Sequence, residues 1–127
     1  MRYIELEEVI YIYTEIIQRT GGEPGLNDER LLEKILEKPL VTFEGEELYP
    51  DLFTKAAVLM YAIITNKPFV EGNKRTALMC AMFLLRFNGY QIISSQEALL
   101  ELVTGAGAGK YQVDQIVRWF KKNAVPV

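Results

Sequence analysis

The chain has 127 residues, 50% of them hydrophobic and 24% charged, with a formal net charge of −3. That is the composition of one globular domain, residues 1–127, able to bury roughly two thirds of its unfolded surface. The acidic balance argues against a general nucleic-acid binder, which presents a basic face. A single cysteine allows no disulfide within the chain, and no histidine exists to serve as base or metal ligand. With no N-terminal signal and no apolar run of membrane-spanning length, a cytoplasmic protein with no membrane partner is expected.

Apolar residues Leu6, Val9, Ile10, Tyr13, Ile16 and Ile17 recur at helical spacing and predict a first helix from about Leu6 to Thr20. Gly21-Gly22 ends it. The Tyr11–Tyr13 pair reads as packing residues or as a stacking platform. Pro24-Gly25 leads to Asn27-Asp28, either of which can cap a second helix that buries Leu31, Leu32, Ile35 and Leu36 and stops at Pro39. Residues Leu40 to Tyr49 are the least helical stretch. Val41-Thr42-Phe43 and Leu48-Tyr49 flank Glu44-Gly45, the pattern of a short hairpin or flap; a plain interhelix loop is the alternative.

Pro50-Asp51 opens a helix that is apolar nearly all round, and a second such helix runs from Thr76 to Phe87. Helices of that kind belong at the centre of a fold. Cys80 lies in the second and reads as a small buried hydrophobe. Asn88-Gly89 stops it, and Tyr90 to Ile93 reads as an extended piece that pairs with the flap. Ser94 to Glu97 has the spacing of a capping box for a helix ending near Thr104. Gly105-Ala106-Gly107-Ala108-Gly109 then follows a helix, not a strand, and lacks an adjacent Lys-Thr, so it reads as a flexible connector instead of a phosphate cradle. A last helix spans about Val113 to Asn123.

Between the two central helices lies Asn66 to Thr76, with Glu71, Gly72, Asn73, Lys74 and Arg75 in direct succession. Gly72 permits a tight turn, and the first amides of the following helix have no intrahelical partner. Free N–H groups, the positive end of a helix dipole and two cations make an anion site, most plausibly for phosphate. The residues alone leave a second reading open: Asn73 as N-cap, Gly72 as turn residue, Lys74 and Arg75 as solvated charges. It is not a Walker A loop, since the earlier glycine is missing and a helix precedes it.

Pro68-Phe69-Val70-Glu71-Gly72-Asn73-Lys74-Arg75-Thr76-Ala77 resembles the signature of the Doc (death-on-curing) toxins of the Fic/Doc superfamily, which runs His-Pro-Phe-x-Asp-Gly-Asn-Lys-Arg-Thr-Ala. Gly21-Gly22-x-Pro24-Gly25 with Asp28, Leu31 and Leu32, the stretch Leu48 to Ala57, and Phe83-Leu84 with Asn88-Gly89-Tyr90 extend the resemblance over nearly the whole chain. It implies an all-α, Fic/Doc-like bundle of about six helices with a small β-hairpin flap. Two positions depart from the pattern: Lys67 stands at the family's catalytic histidine, and Glu71 replaces the usual Asp.

The resemblance also implies chemistry. Fic members move AMP from ATP to a protein hydroxyl; Doc members carry a lysine where Fic members have a second glycine, and transfer phosphate. Lys74 puts this chain on the Doc side, with a threonine of the translation elongation factor Tu as the family's target and a small Phd-type antitoxin as partner. By that resemblance Glu71 holds Mg²⁺, Gly72 and Asn73 cradle the phosphates of ATP, Lys74 and Arg75 neutralise charge on the transferred group, Pro68 and Phe69 anchor the loop, and Val41, Thr42, Phe43, Glu44 and Gly45 form a flap that aligns the target. The proton-accepting role falls to Lys67. A lysine in its ordinary ammonium state has no lone pair to offer near neutrality. A positioned base contributes ~10²–10⁴-fold to rate, so the expectation is a Doc-like protein that binds ATP and turns over poorly or not at all. A non-catalytic module that binds nucleotide or antitoxin, and an active kinase using Lys67 or Glu71 as base, are the alternatives.

Overall fold

The computed structural model describes residues 1–127 and orders six helices and two short strand pairs along the chain. Helix α1 spans Leu6–Thr20. Helix α2, Glu29–Glu37, is capped by Asp28, whose carboxylate accepts the amides of Arg30 and Leu31. Pro39 then tightens the chain into a 3-10 turn, Lys38–Leu40. Strands β1 (Thr42–Phe43) and β2 (Glu46–Glu47) form the flap hairpin, with Thr42 opposite Glu47 and Phe43 opposite Glu46. Glu44 and Gly45 take positive φ at its tip, as a two-residue hairpin turn demands.

The central helices are α3 (Leu52–Asn66) and α4 (Asn73–Phe87), followed by β3 (Tyr90–Ile92), α5 (Gln96–Gly107), α6 (Val113–Asn123) and β4 (Ala124–Pro126). Helix α3 is the trunk: Leu59, Met60 and Ile63 are fully enclosed, as are Leu84 and Leu85 of α4 and Ile116 and Phe120 of α6. Each such side chain contributes about 1.5–3 kcal/mol through removal from water. Cys80 is buried with them, and that burial pushes its thiol far above its ordinary pKa. Tyr3 is raised in the same direction, first by burial and then by the nearby Cys80. The fold is therefore the predominantly helical one the resemblance implies.

Several local readings change. The segment after α4 does not pair with the flap; β3 pairs antiparallel with β4, Gln91 opposite Val125. Helix α5 is capped by Ser95, not Ser94: the Ser95 hydroxyl accepts the Ala98 amide at 3.1 Å. It also continues past Thr104 to Gly107, so the glycine run is no flexible connector. Its glycines allow close packing instead, since a β-carbon at residue 105 would stand 2.4 Å from the Tyr111 ring. Of the two tyrosines in α1, Tyr13 packs inward while Tyr11 remains 66% exposed. No helix is long and apolar enough to cross a membrane.

Candidate functional site

The loop between α3 and α4 is fixed before any ligand arrives. Lys67 closes α3 in the left-handed region, φ 49°, with its N–H donating to the Ile63 carbonyl at 3.0 Å. Residues 68–70 then run antiparallel to residues 25–27 of the connection between α1 and α2. Asn27 N–H donates to the Pro68 carbonyl at 2.8 Å, and Val70 N–H to the Gly25 carbonyl at 2.9 Å. Pro68 and Phe69 are buried, as an anchoring role requires. The Phe69 ring stacks on Tyr13 at 3.9 Å and 8°, and the Tyr13 hydroxyl accepts the Gly25 amide at 2.6 Å.

Gly72, at φ 85°, makes the turn into α4. It is the N-cap, and Asn73 is the first helical residue. The Asn73 side chain turns back on the loop, its Oδ1 accepting from Phe69 N–H at 3.0 Å and its Nδ2 donating to the Phe69 carbonyl at 2.9 Å. Its amide is therefore spent on loop geometry, which leaves phosphate cradling to main-chain groups. The first helical bond runs from Thr76 N–H to the Gly72 carbonyl. The amides of Asn73, Lys74 and Arg75 precede it and take no acceptor in the chain, the condition for anion binding at a helix start.

Lys67, Glu71, Gly72, Asn73, Lys74 and Arg75 share one open cavity of about 540 Å³, closed at the side by the Thr20–Gly22 turn and Ile64. The five sequence-predicted residues from Glu71 to Arg75 and the replaced base thus converge. None of the three cations forms an ion pair with a carboxylate of the chain. Glu71 is the lone carboxylate of the lining. Its Oε2 accepts the Glu23 amide at 2.8 Å, directly over Gly22, where a β-carbon would stand 2.6 Å from that oxygen. The other oxygen takes no partner in the chain, and no three His, Cys, Asp or Glu side chains gather anywhere to hold a metal alone. A single free carboxylate oxygen beside an anion site suits Mg²⁺, which commonly completes its shell with substrate phosphate and water.

The flap does not enter this cavity. Its residues Val41 to Gly45 are exposed and absent from the lining. It is fastened at its base by Lys55 of α3, which lies in the family-like stretch Leu48 to Ala57 but had no role assigned to it. Lys55 is 1% exposed, and its ammonium donates to the Tyr49 carbonyl and pairs with Glu47 Oε1 at 2.9 Å. The signal that could have found it is a lysine inside a helix apolar nearly all round, since a buried ammonium needs a carboxylate nearby. A second concavity, about 590 Å³, runs between α1 and α4, with an apolar floor that includes Tyr11, Ile16, Phe83 and Phe87 and a charged rim of Glu7, Glu8, Glu15 and Arg19, in which Glu15 pairs with Arg19 and Glu8 with Arg2.

A left-handed turn into the N-terminus of a central helix, clamped by an asparagine and carrying an acid, two cations and free amides, is the feature this helical domain is built around. A sequence model of the Fic/DOC family matches residues 3–85, and the chain belongs to that family, within it to the Doc type. It is 37% identical over 116 residues to the "Protein kinase doc" of Escherichia phage P1, covering 91% of this chain and 90% of that protein. It is 40% identical over 72 residues to the "Toxin Doc" of Mycolicibacterium smegmatis, covering 57% of this chain and 55% of that one.

Proposed function

We propose that this Doc-like toxin binds ATP at the α4 N-terminus and presents its terminal phosphate to a protein hydroxyl, with the transfer step weakened by Lys67. The reading rests on one observation above the others: residue 67 lines the same cavity as the acid, the cations and the free amides, and it is a lysine. Backbone amides of Asn73 to Arg75 receive phosphate oxygens. Lys74 and Arg75 offset the charge that spreads over a phosphoryl group in flight, the main demand of that reaction. Glu71 would hold Mg²⁺, which when bound draws charge from the phosphates. Glu71 is the one carboxylate of the cavity and is engaged by the Glu23 amide, and the cavity's other proton acceptors would be lysines, which supports a weak base at residue 67. The target, by the family's example a threonine of a translation elongation factor, would meet the exposed strand edges of the flap.

Purified protein with labelled ATP and translation factor tests this. The expected result is tight nucleotide binding, little transfer in the native chain, and transfer raised about 10²–10⁴-fold in Lys67→His. Robust native transfer abolished by Lys67→Ala would instead establish lysine as the base.

The groove between α1 and α4 favours a companion reading. An apolar floor between two helices fits the apolar stripe of an amphipathic helix, with Glu7 the rim carboxylate left unpaired for a lysine or arginine beside that stripe, which is what a Phd-type antitoxin would offer. Loss of antitoxin binding in Tyr11→Glu, with nucleotide binding intact, is the expected signature.

A further inference from the structure

The glycine run at the end of α5 has no part in the chemistry above, yet it abuts it. An ideal β-carbon built on Gly107 would stand 2.8 Å from Lys74 Cε, 3.5 Å from Lys74 Nζ and 3.6 Å from Ile64 Cγ2. The Lys74 stem therefore lies across the bare backbone of Gly107 in a space that no other residue would leave. Gly107 is helical, so its glycine is not required by the sign of φ. What it accommodates is the present path of the lysine.

The rest of the run fixes that contact. Gly105 lets the Tyr111 ring close on α5, and the Gly105 carbonyl accepts the amides of both Lys110 and Tyr111 at 2.8 and 3.2 Å. The last turn of α5 is thus tied down from behind while its other side faces Lys74. A helix C-terminus carries partial negative charge, so the shelf under Lys74 is also electrostatically suited to an ammonium that has no carboxylate partner.

We infer that Gly107 is a positioning residue for Lys74: it sets the height of the ammonium in the anion cavity, and a side chain at 107 lifts that ammonium away from the phosphate. The inference rests on the anion-site reading of the cavity for its functional consequence, but not for its geometry. The atoms a new β-carbon would meet are the far end of a flexible side chain, which can move. Gly107→Ala should accordingly fold normally, with alanine favouring the helix, and fail only in where it puts Lys74.

Two measurements test this. The first needs no ligand: in protein reductively ¹³C-methylated at lysine, the Lys74 signal, assigned by its loss in Lys74→Arg, should show a nuclear Overhauser contact to the Gly107 Hα protons. Its absence overturns the inference whatever the cavity binds. The second is a calorimetric cycle with ATP on the native chain, Gly107→Ala, Lys74→Met and the double variant, alongside thermal melts. Lys74→Met should weaken binding about tenfold, the scale of one charged hydrogen bond; Gly107→Ala should weaken it several-fold with the melt unchanged. The double variant should match Lys74→Met alone, since coupled residues fail to add. Additive losses would show that Gly107 acts independently of Lys74 and refute the proposal. If no variant binds ATP while the proton contact is present, the nucleotide reading fails and the positioning role stands.

Discussion

The loop from Pro68 to Arg75 and the flap from Thr42 to Glu47 are both short connections between helices, and they are held in opposite ways. The loop is fixed by main-chain pairing to residues 25–27, a stacked ring pair, and a two-way amide clamp. The flap has strands of two residues with every side chain exposed. A hairpin that small is marginal alone, and one buried lysine fastens it. The difference suits the function proposed for each. Groups proposed to meet a small anion have to stand in place beforehand, whereas an edge proposed to receive another protein tolerates slack.

That contrast can be broken from the loop side first. Phe69→Ala removes the stacked ring and the plug beneath the site, and should cost about 3–5 kcal/mol of global stability with loss of nucleotide binding; urea unfolding measures it. An unchanged midpoint would mean the loop is no more tightly held than the flap. The trunk below the loop supplies a smaller effect. Burial holds the folded Cys80 thiol above its ordinary pKa, while an unfolded thiol ionises near pH 8.5. Stability is therefore full below about that pH and falls above it, by up to ~1.4 kcal/mol per pH unit. The Tyr3 phenol steepens the fall once the unfolded phenol ionises near pH 10. Cys80→Ala should flatten the first part of that slope in urea titrations between pH 7.5 and 9.5. The smallest effect belongs to the flap: Glu47→Ala leaves Lys55 with the Tyr49 carbonyl alone. Hydrogen exchange at Leu48 N–H, which donates to the Val41 carbonyl, should quicken about tenfold, on the scale of one modest interaction, with the global midpoint nearly unmoved.

Much of this was legible in the residues because it is local. Helical periodicity outlined α1, the pair Asn27-Asp28 offered the α2 cap that Asp28 supplies, and Glu44-Gly45 marked the turn of a hairpin whose second strand is Glu46–Glu47, not Leu48-Tyr49. The convergence of Lys67 with Glu71 to Arg75 was legible too, because nine consecutive positions around one helix start cannot scatter far. What lay beyond reading joins distant segments. Three-residue strands such as β3 and β4 carry too little pattern to choose a partner across more than thirty residues, and the flap was the one other extended piece that turn residues had marked. Pairing of residues 25–27 with the loop, the Glu23 amide on Glu71, and the Lys55–Glu47 pair are likewise products of packing. The glycine run misled for a related reason: glycine signals flexibility when read singly, and close approach only when its neighbour is known.

The Glu71 carboxylate has two claims on it. One oxygen already bridges to the Glu23 amide, stitching the turn after α1 to the mouth of the cavity. That hydrogen bond joins residues 48 positions apart in the chain, so the turn after α1 and the mouth of the cavity are held as one piece: whatever shifts the carboxylate also loosens the Glu23 amide.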